Sequence, residues 1–114
     1  MSRDPLLYLE DIAEGCERIR RYTAGQTEAQ FAADGKTYDA VLRNLETIGE
    51  AAKNLAEEIR AGMPEIEWKK ICAFRDVLAH HYFGVDPGIV WDVMVNKLPA
   101  LESAVRSCIA AAAG

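Results

Sequence analysis

The sequence predicts an all-α fold, an antiparallel bundle of about five helices with short connections. Apolar residues recur at steps of three and four along most of the chain. Capping residues, glycines and prolines fall between those stretches. No alternation of apolar and polar residues competes as a strand. At 114 residues the chain fits a single domain, 1–114.

The first helix is expected over 5–24. Pro5 suits the first turn, where a missing N–H costs nothing. Leu9, Ile12, Cys16 and Ile19 make one apolar stripe, Arg18, Arg20 and Arg21 suit the C-terminal dipole, and Gly25 ends the helix. Thr27 and Gln30 have capping-box spacing for a short helix at 28–33. Asp34-Gly35 signals a turn. The longest helix is expected over 37–61. Its seam is Val41, Leu45, Ile48, Ala52, Leu55 and Ile59, fit to pack on a helix of the same chain or of a second one. Gly49 lies inside that helix at a cost of about 1 kcal/mol, which close helix approach would explain. Pro64 marks a break. A helix over 66–82 carries Trp68, Ile71, Phe74 and Leu78. Asp86 and Pro87 cap another over 87–97, and Pro99 breaks or kinks the path into a last helix, 99–112.

Composition narrows the function. No apolar run approaches the roughly 20 residues of a membrane span. The N-terminus lacks a signal-peptide layout, so the expected location is cytoplasmic, with no membrane partner. Cys16, Cys72 and Cys108 sit among apolar helical positions and read as reduced core residues. The net charge of −5 argues against a large basic surface for nucleic acid, but not against a small positive site.

The densest polar stretch is RDVLAHHY, Arg75 to Tyr82, which holds both histidines of the chain. On a helix Asp76 and His80 share a face, so the carboxylate can bond the imidazole. Arg75 and His80 are about 140° apart, so they converge only through the length of arginine or through a second chain. Three chemistries compete. The stretch is a solvated helix end, a metal site, or an acid–base site acting on a phosphodiester. Adjacent histidines point in different directions, and no third ligand accompanies them, so no metal and no cofactor is expected. Histidine can move protons near neutral pH, and arginine can hold a phosphate. RNA carries its own nucleophile, the 2′-hydroxyl.

The spacing Arg75, four residues, His80, one residue, Tyr82 resembles the R-x4-H-x-Y motif of HepT-like toxins in the HEPN superfamily. The segments RNLETIGEAAKNL, PEIEWKKICAFRDVLAHHYFGVD and IVWDVMVNKLPAL resemble other blocks of that family, over about 5–109 in all. The resemblance implies a HEPN-like homodimer in which two motifs face one cleft. It implies metal-independent endonucleolytic cleavage of RNA, with Arg75 and His80 as the catalytic pair. It implies a partner antitoxin, a minimal nucleotidyltransferase, that acts by binding, by adenylylating Tyr82, or by both. Asp76 occupies the polar position after the arginine. Glu46 and Glu50 either pair with Arg75, line the cleft, or form a solvated acidic face. His81 receives no role. Arg18, Arg20, Arg21, Lys69, Lys70 and Arg75 are candidates for a basic rim. Two alternatives stand beside this. One is a catalytically silent module that binds a nucleotidyltransferase. The other is a purely structural dimer joined through the 41–59 seam.

Overall fold

The computed structural model describes residues 3–80 and 85–113. Among these residues there are seven helices and no strand. They are α1 (Pro5–Thr23), α2 (Glu28–Ala33), α3 (Gly35–Asn54), α4 (Glu57–Ala61), α5 (Trp68–His80), α6 (Pro87–Asn96) and α7 (Leu98–Ala113). None of them is long and apolar enough to cross a membrane.

Local chemistry places the helix starts. Asp4 accepts from the Leu6 N–H ahead of Pro5. Thr27 and Gln30 close the expected capping box. Asp86 accepts from the Gly88 N–H at 2.8 Å. Gly25 takes a φ of 78°, in the left-handed region that favours glycine, just past α1. Asp34-Gly35 is a helix start rather than a free turn. Asp34 accepts from both the backbone N–H and the hydroxyl of Thr37, and Gly35 opens α3.

The helix expected over 37–61 is two helices. It stops at Asn54, and Leu55 turns to an extended conformation, φ −69° and ψ 136°. The Asn54 side-chain amide donates to the carbonyl of Glu50, filling an acceptor at the helix end. Leu55 stays buried through this bend, so the seam continues into the core although the helix does not. The chain then reaches α5 through a loop in which Met63 and Ile66 are buried. The Trp68 indole N–H closes that loop on the Met63 carbonyl at 3.2 Å. Pro99 falls in the first turn of α7, where it starts a helix instead of kinking one.

The long helices pack in the order α5, α3, α1, α7. Val41, Leu42, Leu45 and Ile48 of α3 meet Leu9, Ile12, Cys16 and Ile19 of α1 in one core. Gly15 makes the contact close: a Cβ there would lie 2.7 Å from Ile48 Cγ1. The 41–59 seam is thus filled by the chain itself, which removes the ground for a dimer built on it. Cys16 is buried, and burial pushes its thiol up to about 12, so it stays protonated as a small apolar filler. At one end Phe31 of α2 stacks obliquely on Tyr38 and Trp91 at 5.8 and 5.6 Å.

Candidate active site

The site begins at a glycine. A Cβ on Gly49 would lie 2.3 Å from Cβ and 2.8 Å from Cγ of Arg75. No side chain fits, so α5 lies against α3 with the Arg75 stem pressed on bare backbone. That contact aims the guanidinium back along α3. Its Nη2 meets Glu50 Oε2 at 2.8 Å, and its Nη1 meets Asp76 Oδ1 at 3.2 Å. The side chain is 29% exposed. The stem is covered, and the guanidinium can still receive an anion from outside.

Arg75 opens onto a cleft of about 340 Å³. Glu46, Thr47, Glu50 and Ala51 of α3 form one wall, and Ala79 extends the α5 side. Tyr8 and Asp11 of α1 close the other wall, with Arg3 before the helix. Arg3 binds Asp11 at 2.9 Å, and its guanidinium lies 4.7 Å above the Tyr8 ring. Sequence reasoning left Glu46 and Glu50 open between pairing with Arg75, lining the cleft and a solvated face, and it missed Arg3, Tyr8 and Asp11. No linear signal joins them to position 75; only the antiparallel pairing of α1 with α3 does.

His80 is the last described residue of α5 and is exposed. It does not line the cleft. Five residues of helix set it about 140° around and about 7.5 Å along from Arg75. The expected bond between Asp76 and His80 is not formed. Asp76 gives its carboxylate to Arg75 instead, a charge-assisted bond on a neighbouring side chain. Tyr82, together with His81, lies outside the described residues. Among the described residues no group of three or more His, Cys, Asp or Glu side chains could hold a metal ion.

Half of the expected basic rim is engaged elsewhere. Arg20 forks onto Glu102 at 2.8 and 3.1 Å, Arg18 pairs with Glu14, and Lys70 pairs with Glu67. Of the six candidates only Arg75 lines the cleft. Arg3 and Arg75 face three cleft carboxylates, Asp11, Glu46 and Glu50. An anionic substrate therefore has to displace a carboxylate from Arg75. At a half-exposed pair that exchange is cheap, since such pairs contribute about 0–1 kcal/mol.

Residues 12–108 match the protein family described as Ribonuclease HepT-like. A protein of Methanocaldococcus jannaschii named putative RNase is 43% identical over 98 residues, covering 86% of this chain and 81% of that one. A second protein of that organism, named gamma-glutamylcyclotransferase and putative RNase, is 41% identical over 105 residues. The match covers 92% of this chain and 47% of that longer protein. A protein of Thermococcus cleftensis named probable ribonuclease HepT is 42% identical over 102 residues, covering 90% of this chain and 93% of that one. No solved structure matches the chain.

Proposed function

The chain belongs to the HepT-like ribonuclease family of the HEPN superfamily, and from that we propose that it is the toxin of a two-gene toxin–antitoxin pair. It cuts RNA endonucleolytically and without a metal. The observation that carries this is the seating of Arg75. A glycine on α3 fixes its stem, and its half-open guanidinium faces a cleft of about 340 Å³.

In the proposed reaction the 2′-hydroxyl of one nucleotide attacks its own 3′-phosphate. The new O–P bond closes a 2′,3′-cyclic phosphate as the bond to the next 5′-oxygen breaks. His80 removes the 2′-hydroxyl proton or delivers one to the leaving oxygen. Arg75 exchanges Glu50 for a phosphate oxygen and stabilises the charge that grows there. The separation of His80 from Arg75 favours a site shared by two copies of the chain, in which each copy supplies one of the groups. Tyr82 is the proposed point of control, adenylylated by a minimal nucleotidyltransferase antitoxin. A second function, a catalytically silent module for that partner, is favoured by one observation. Arg75 is already neutralised by two carboxylates.

Labelled single-stranded RNA incubated with the chain and excess chelator separates the two. The toxin is expected to cut, and Arg75→Ala and His80→Ala to lose at least about a hundredfold in rate. Equal inactivity of wild type and both variants would sink the ribonuclease proposal. Tyr82 modified by the partner and ATP would then leave the silent module standing.

A further inference from the structure

We propose that Arg3 and Tyr8 form a nucleotide-binding subsite beside Arg75, which takes one unstacked base and the phosphate next to the one that is cut. The subsite rests on the RNA-cleaving role proposed for Arg75.

Arg3 and Tyr8 share the cleft with Arg75, although they come from the opposite end of the chain. Tyr8 is partly buried against the core, which fixes its ring, and Arg3 lies over that ring at 4.7 Å. Proteins hold unstacked bases on aromatic rings and on arginine guanidinium planes, and here the guanidinium of Arg3, backed by the Tyr8 ring, is the surface offered to a base. Arg3 is 46% exposed, and among the described residues its ion-pair partner is the partly exposed Asp11. It can exchange that carboxylate for a phosphate, as Arg75 can exchange Glu50. Among the described residues Arg3 and Arg75 are the two cations lining the cleft. The volume of about 340 Å³ suits one nucleotide. No ion pair engages Glu46 among the described residues, so its carboxylate is available to accept from a base N–H and does not draw a phosphate to that end.

The test uses the full chain carrying His80→Ala, so that binding is read without cleavage, and a fluorescein-labelled single-stranded RNA oligonucleotide read by anisotropy. Tyr8→Ala is expected to weaken binding about tenfold with an unchanged salt slope. Tyr8→Phe keeps the ring and is expected to bind as the parent does. Arg3→Ala is expected to weaken binding and to reduce the salt slope by about one phosphate contact. Arg3 is a surface residue, so its variant keeps the test readable if Tyr8→Ala folds poorly. Parental affinity in both alanine variants overturns the subsite, as does failure of the parent to bind this RNA. Binding that Tyr8→Ala and Arg3→Ala weaken, in a chain whose wild-type form does not cut, upholds the subsite and rejects the ribonuclease proposal.

Discussion

A methyl group at position 49 would overlap Arg75, since the two Cβ atoms would be 2.3 Å apart. The atom it meets belongs to the rigid root of the side chain, not its flexible end, so α5 itself would have to move. Gly49→Ala should destabilise the chain by about 1–3 kcal/mol, as overpacking does, although alanine favours a helix more than glycine. It should also turn the guanidinium away from the cleft and lower RNA cleavage. Thermal unfolding and cleavage measured together check this. A variant with a raised Tm and full activity would show that the contact is not what seats Arg75. Gly49 was visible in the sequence as an anomaly inside a helix. Its partner was not, because nothing linear says which residue of α5 crosses it.

At the scale of elements, α1 and α7 are joined across their polar faces. Arg20 and Arg106 converge on Glu102, whose side chain is only 12% exposed. The hydrogen bond from Arg20, followed by the one from Arg106, holds the Glu102 carboxyl below the ordinary value of 4.5. The folded chain then binds that proton less tightly than the unfolded chain. The stabilisation is complete above the unfolded value and is lost as pH falls through the lowered native one. The Tm should be level above about pH 5 and drop below about pH 4, and Glu102→Gln should make the drop shallower. Parallel drops in wild type and variant would place the acid sensitivity elsewhere. The division of the 37–61 stretch belongs to this scale too. The apolar spacing continues across Leu55, so periodicity alone reads one helix. The break comes from the amide of Asn54 on the Glu50 carbonyl and from the burial of Leu55 in an extended conformation.

For the whole molecule, the net charge of −5 reaches into the cleft, where Arg3 and Arg75 face Asp11, Glu46 and Glu50. Arg18, Arg20 and Lys70 neutralise neighbouring acids, so they do not add to a rim around Arg75. Single-stranded RNA should bind with a shallow salt dependence, a log–log slope of about −1 to −2, as expected for the two cleft cations. A slope steeper than about −4 would mean that surface outside the cleft carries the binding. Filling the 41–59 seam from within also changes the question of a second copy. A proposed dimer has to use other surface.

The sequence by itself determined the helical class, most helix starts and the family, because these are written in local spacing: three-and-four apolar steps, a capping box, prolines at first turns, the Arg75–His80 interval. It also put Glu46 and Glu50 on one face of the long central helix. Only the tertiary structure decided which acids hold the arginine, that Asp76 turns to it and not to His80, and that Arg3 and Tyr8 share its cleft. Those outcomes depend on how close α1, α3 and α5 lie. That distance is set by Gly15 and Gly49, whose missing side chains act only once another helix is packed against them.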